Sequence, residues 1–160
     1  MATPDFVLAL REHIGNAPLW LTGTTAVVLR GLDTGRPEVL LVRRSDNGAW
    51  TPVTGIIDPG EEPAVAAERE VLEETSITAV AERLAIVQVL PPNVYDNGDV
   101  TQYIDITFRC RYVSGEPYPA DGENTETGWY PLDALPEMAD AMRLRIEAAA
   151  SDEREARFNR

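Results

Sequence analysis

Residues 55–77, GIIDPGEEPAVAAEREVLEETSI, decide the fold, because they join a glycine-rich turn to a segment unusually dense in carboxylates. Pro63 suits the first turn of a helix, which the spacing predicts over residues 62–75. With each helical residue turning ~100°, Glu70, Glu73 and Glu74 fall within an arc of roughly 100°. Like charges at this spacing each cost a helix ~0.2–0.5 kcal/mol. A divalent cation removes that cost, since magnesium takes one or two carboxylates together with substrate phosphate oxygens and water. Without a cation the same row is a solvated acidic face, the bland reading of any single helix. Ala64, Val65, Ala67, Val71 and Leu72 give the other side enough small and apolar surface to dock on a sheet, although Glu68 interrupts it.

Strand signals lie on both sides of this helix. Residues 22–30, TGTTAVVLR, and 37–44, PEVLLVRR, are β-branched runs separated by a Gly- and Asp-bearing turn, the pattern of a hairpin. Arg43 and Arg44 end the second run just before the glycine-rich region, where a guanidinium can meet a phosphate; solvated basic residues are the plain alternative. Trp50 opens a short approach segment into Gly55. Residues 77–90 and 101–113 alternate in polarity, joined by the turn-rich loop PPNVYDNGDV, and a second polar loop, GEPYPADGENTET, precedes the strand GWYPL. At the ends, Thr3, Pro4 and Asp5 start a helix of residues 4–14 that Gly15 stops, within an N-terminal helical region of 1–15, and 137–158 reads as a C-terminal helix. Phe6, Val7, Leu10 and Ile14 form an apolar stripe that packs on the domain or, as the sharper reading, makes a homodimer contact. Strands bracketing one central helix, with another after the last strand, indicate an α/β sandwich with a mixed central sheet.

The chain has 160 residues, one domain's worth, and is 44% hydrophobic. No apolar run approaches the ~18 residues of a membrane span, and the N-terminal stretch lacks a basic leader, so a cytoplasmic protein with no membrane partner is expected. Fourteen basic against 27 acidic residues leave a formal charge of −13, which repels long nucleic acids. A small anionic nucleotide remains compatible, because a metal ion and a few arginines reverse the field locally. The single cysteine, Cys110, excludes an internal disulfide and, with the lone His13 far away in sequence, builds no Cys-rich zinc site. Both are read as structural.

Gly55, Glu61, the run Arg69-Glu70-Val71-Leu72-Glu73-Glu74 and Ile77 resemble the Nudix box in identity and spacing. Ser76 departs from that pattern, which has glycine there. Trp50 is followed by Thr51, Pro52, Val53, Thr54 and Gly55, where relatives often read Pro-Gly-Gly, so a reshaped approach loop is expected. The resemblance implies a Nudix-type α/β/α sandwich over residues 1–160 and hydrolysis of a nucleoside diphosphate linked to another moiety, with Mg²⁺ as cofactor and Mn²⁺ as its substitute. It also implies that Gly55 lends a backbone carbonyl to the metal. Glu70 and Glu74, one turn apart, are the first choice as side-chain ligands, with Glu73 beside them. Arg69 and Glu61 are cast as a bidentate pair that fixes loop to helix. Glu70 is one candidate for the general base; Glu123 and Glu126 are others, because some relatives use a carboxylate from a later loop. With Ser76 where the family has a left-handed glycine, either the serine carries ~1 kcal/mol of strain or the helix ends differently.

Substrate identity lies outside the box. Pro91 and Pro92 resemble the ADP-ribose-cleaving members, whereas Tyr95 resembles the dinucleoside polyphosphate members. Tyr95 and Trp50, like Tyr103 and Trp129, offer rings for stacking on a base, with core packing as the commoner role of such aromatics. ADP-ribose or a similar nucleotide sugar ranks first. A house-cleaning nucleoside triphosphate pyrophosphatase comes second, and a non-catalytic nucleotide sensor is the rival from another class. The intact carboxylates argue against the sensor.

Overall fold

The computed structural model describes residues 3–160; Met1 and Ala2, the start of the expected N-terminal helical region, lie outside the described residues. The chain folds as α1 (Asp5–Ile14), β1 (Leu19–Arg30), β2 (Glu38–Arg44), β3 (Trp50–Thr51), β4 (Val53–Ile56) and α2 (Pro63–Thr75). There follow β5 (Thr78–Val89), β6 (Asn93–Val94), β7 (Val100–Ser114), β8 (Asn124–Pro131), α3 (Asp140–Ala150) and β9 (Arg157–Phe158).

The strands form one sheet whose main path runs β3-β2-β1-β7-β5-β9, with β4 on β1, β6 on β7 and β8 on β2. The sheet is mixed: β1 runs parallel to β7 and β5 parallel to β9, while the other pairs are antiparallel. The expected hairpin is present only at its tip, where Leu29 and Arg30 face Val39 and Glu38. Beyond that point β1 takes β4 as its neighbour and β2 takes β8. The opening between β1 and β2 admits the segment that carries Gly55.

The run Ala26-Val27-Val28-Leu29 is apolar on successive positions because both faces of β1 are covered. Ala26 and Val28 pack with Leu40, Val42 and the α2 residues Ala67 and Val71. Val27 and Leu29 pack with Val39, Leu41 and the α3 residues Ile146, Ala148 and Ala149. The two helices therefore lie on opposite faces, which makes the α/β/α sandwich. A smaller cluster of Val7, Leu21 and Ile56 seats α1. Of the predicted stripe, Val7 is buried, while Leu10 and Ile14 stay exposed. Cys110 is fully buried and its thiol is pushed up to about 12 by that burial, so it is an inert core residue. Among the described residues no helix is long and apolar enough to cross a membrane.

Three boundaries differ from expectation. Helix α1 begins at Asp5 with Pro4 at the cap position, so Thr3 does not cap it. Strand β8 starts at Asn124, ahead of GWYPL, because β2 offers a partner edge as far as Arg44. Helix α3 covers only 140–150 of the predicted 137–158. Its end is fixed by Arg83, whose Nη2 donates to the carbonyls of Ala148, Ala149 and Ser151, and the chain beyond turns extended to form β9 against Ile86 and Val87. A guanidinium from β5 thus stops a sequence whose local propensity is helical throughout.

Candidate active site and metal centre

Helix α2 presents its carboxylates to two different environments. Glu70 and Glu74 are buried, with 6% and 4% of their surfaces exposed, whereas Glu73 is exposed. Glu70 lies directly against Gly55: a Cβ at that glycine would collide with the Glu70 carboxylate. Glycine is needed here for close approach, and β4 holds it in register opposite Thr24 of β1.

Arg69 organises the surroundings. Its Nε and Nη2 donate to the two carboxylate oxygens of Glu61 at 2.8 and 2.9 Å, and Nη2 also donates to the Ile56 carbonyl at 3.3 Å. Its Nη1 donates to Glu70 at 3.0 Å and to Glu73 at 3.1 Å. Glu61 in turn accepts from the Asp58 backbone N–H. One guanidinium therefore clamps loop to helix and offsets the repulsion between Glu70 and Glu73. The same contact holds the Glu61 carboxyl below its ordinary range.

Among the described residues, no arginine hydrogen-bonds Glu74. Burial, with the charges of Glu70 and Asp121 adding to it, pushes its carboxyl up to about 7 against the hydrogen bond from Asn124, which lowers it. Burial likewise raises Glu70 against the pull of Arg69. Two buried carboxylates, Glu70 beside a glycine that leaves room for it and only partly offset by Arg69, and Glu74 held by a neutral amide, form a donor set suited to an oxygen-seeking divalent cation.

A second group of carboxylates joins Glu74 from the loop after β7. Tyr118 N–H donates to the Thr75 carbonyl and Ala120 N–H to the Glu74 carbonyl, so this loop caps the open end of α2. Asp121 and Glu123 are thereby brought to Glu74, and one oxygen of each of the three lies within 4.8 Å of the others. The Glu123 carbonyl is tied to Ser45 through its backbone N–H at 2.9 Å and its hydroxyl at 2.7 Å.

The helix ends as a glycine would end it. Ser76 has φ 59°, the left-handed conformation, and its N–H reaches the Leu72 carbonyl at 3.0 Å. It is the non-glycine residue with positive φ among those described.

The remaining predicted residues divide. Arg44 forms two hydrogen bonds to Asp46, and its pKa is raised first by that contact and further by the charge of Glu74 and by Tyr95, which places it in the field of the site. The Tyr95 hydroxyl meets that of Tyr103 at 3.3 Å. Arg43, Trp50 and Glu126 form a cluster of their own: Arg43 pairs with Glu126 at 2.6 Å and lies 6.0 Å from the Trp50 ring, which packs edge-on against Tyr130. Alternation along β2 separates neighbours, since Leu41 and Val42 serve opposite faces and Arg43 and Arg44 continue the pattern. Glu126, expected in the loop, lies inside β8 opposite Arg43. Of the two later-loop candidates, Glu123 therefore lies with Asp121 beside Glu74, and Glu126 with Arg43. Asp121 and Asn124 were missed as site residues; their signal was the polar density of PADGEN, which read equally as a solvated turn.

Comparison with known proteins agrees with this geometry. The family model for the NUDIX domain matches residues 21–149. A MutT-like protein of Streptomyces ambofaciens is 32% identical over 136 residues, 84% of this chain and 80% of that protein. The dihydroneopterin triphosphate diphosphatase of Escherichia coli is 44% identical over 61 residues, 38% of this chain; the match spans 40% of that relative's length. Among solved structures, an ADP-ribose pyrophosphatase from Streptococcus suis superposes with a TM-score of 0.65 at 23% identity, covering 87% of this chain and 98% of its own, a likeness of fold. With the matched region spanning β1 to α3 and holding every carboxylate described above, this chain belongs to the NUDIX domain family of pyrophosphohydrolases.

Proposed function

We propose that this protein is a cytoplasmic, Mg²⁺-dependent hydrolase of the diphosphate in a nucleoside diphosphate derivative, with ADP-ribose or a similar nucleotide sugar as the first-ranked substrate. The observation that carries the reading is the pair of buried carboxylates one turn apart on α2, Glu70 packed against Gly55 and Glu74 with Arg44 in its field. Glu70, Glu74 and the Gly55 carbonyl would hold the cation, Mg²⁺ or Mn²⁺, with Asp121 and Glu123 on the oxygen-rich side near Glu74. When bound, the cation supplies neutralisation of the diphosphate charge and a more acidic water.

The chain's own groups do the rest. Arg44 exchanges Asp46 for a substrate phosphate oxygen, a contact for which a fork-shaped guanidinium is suited. Glu70 or Glu123 accepts the proton of the attacking water, and Glu73 stays with Arg69 at the rim. Water adds in line to one phosphorus while the bridging oxygen leaves on the other, so a nucleoside diphosphate sugar yields a nucleoside monophosphate and a phosphorylated sugar. Arg69 and Glu61 keep the Gly55 loop against the helix throughout. Pro91 and Pro92 support the nucleotide sugar, while Tyr95, in the field of Arg44, offers a ring for stacking on the base.

The similarity to a dihydroneopterin triphosphate diphosphatase favours a second reading, a nucleoside triphosphate pyrophosphatase. A kcat/KM series over ADP-ribose, other nucleotide sugars, dinucleoside polyphosphates and nucleoside triphosphates decides between them. The first reading expects the sugars to lead by at least tenfold; triphosphates leading by that factor would replace it with the second.

A further inference from the structure

Strand β8 enters the sheet irregularly. Glu126 stands opposite Arg43, yet Asn124, not Thr125, stands opposite Arg44, so Thr125 is an extra residue in a β-bulge. A bulge changes which side chains share a face, and bulges beside active sites re-aim a side chain. Here it gives Asn124 the register position opposite Arg44, on the α2 side of the sheet, where uninterrupted pairing would place Thr125. There the Asn124 amide is buried, at 7% exposure, and donates through Nδ2 to Oε2 of Glu74 at 2.9 Å.

We propose that Asn124 is a positioning residue for the metal centre: its amide, aimed by the Thr125 bulge, fixes the Glu74 carboxylate so that one oxygen is engaged by the protein and the other is presented to the divalent cation. The inference rests on the proposed metal-dependent reading and adds a residue outside the family-resembling stretch. Glu74 has no arginine contact comparable to the Arg69 clamp on Glu70, and Asn124 stands in for it with a neutral donor. A neutral donor orients the carboxylate without cancelling the charge that draws the cation. Partners of this kind, when removed, typically cost 10–100-fold in metal affinity.

The test is Mn²⁺ binding at equilibrium, read by electron paramagnetic resonance of the free ion, with no substrate present. Asn124→Ala is expected to weaken Mn²⁺ affinity 10–100-fold with the fold retained by circular dichroism, and deletion of Thr125 is expected to act in the same direction. In a Glu74→Ala background, Asn124→Ala should have no further effect, because its action runs through Glu74. The proposal is overturned if Asn124→Ala binds Mn²⁺ like the wild type. It is equally overturned if the loss is as large with Glu74 already removed, since the amide would then act on the fold in general. Wild-type protein that binds Mn²⁺ but cleaves no nucleotide sinks the hydrolase reading alone, whereas wild-type protein that binds no Mn²⁺ sinks both.

Discussion

Glu74 sets the pH behaviour of the metal-free protein. Its folded-state carboxyl sits at about 7 against an ordinary value of 4.5, chiefly through burial. A raised carboxyl pKa means that its contribution to stability is fully present below about pH 4.5 and is lost as pH rises through about 7. Glu70, raised by burial as well, acts in the same direction. Comparing wild type with Glu74→Gln isolates the effect from the other titrating groups. Urea unfolding without metal should show the variant gaining on the wild type from near zero at pH 4 to as much as about 3 kcal/mol at pH 8. The same variant should lose at least about 100-fold in kcat with Mg²⁺ present. A second residue follows from backbone geometry: Ser76→Gly relieves a left-handed conformation and should stabilise by about 1 kcal/mol, read as a higher urea midpoint. Both positions were visible in the sequence, the carboxylates by their spacing and Ser76 by its departure from glycine.

At the scale of elements, α2 was legible in its start at Pro63 and in the buried pair Ala67 and Val71, whereas Val65 and Leu72 of the expected apolar side stay exposed and Ala66 is buried in their place. The C-terminal helix was not. Residues beyond Ala150 keep helical propensity, and what ends α3 is Arg83, a residue distant in sequence that captures three of its last carbonyls. Arg83→Met should therefore speed hydrogen exchange around the end of α3 and in β9. It should also cost about 1.5–3 kcal/mol of stability while leaving Mn²⁺ affinity unchanged. The β8 bulge was hidden for the same reason, since strand register depends on the partner strand. A register one residue different would have left Asn124 off the α2 face and Glu74 without its donor. Alternation along β2 also divided two neighbouring arginines, placing Arg44 in the field of Glu74 and Arg43 with Glu126 and Trp50.

The whole molecule concentrates negative charge. A formal charge of −13 attracts any cation weakly, and such loose attraction fades once salt shortens the Debye length to a few ångströms. A buried site behaves differently. At a hundredfold excess over its dissociation constant a bound cation stabilises by about 2.7 kcal/mol. MgCl₂ should therefore raise the melting temperature in 0.5 M NaCl, and Glu74→Gln should abolish most of that rise. The sandwich itself could be read from the order of strands and helices, because each covered face shows as an apolar run. Glu123 was a candidate from its place in the later loop, but its meeting with Asp121 and Asn124 at Glu74 could not be read, because it forms only when the loop after β7 caps α2. The central claim, a diphosphate hydrolase built on Glu70 and Glu74, is tested most directly by incubating wild type and Glu74→Gln with Mg²⁺ and ADP-ribose, other nucleotide sugars and nucleoside triphosphates, resolving products by anion exchange. Wild type should release a nucleoside monophosphate and a phosphorylated partner in a metal-dependent way, with the variant slower by about 100-fold. Wild-type protein that binds Mg²⁺ and cleaves none of these compounds would contradict it.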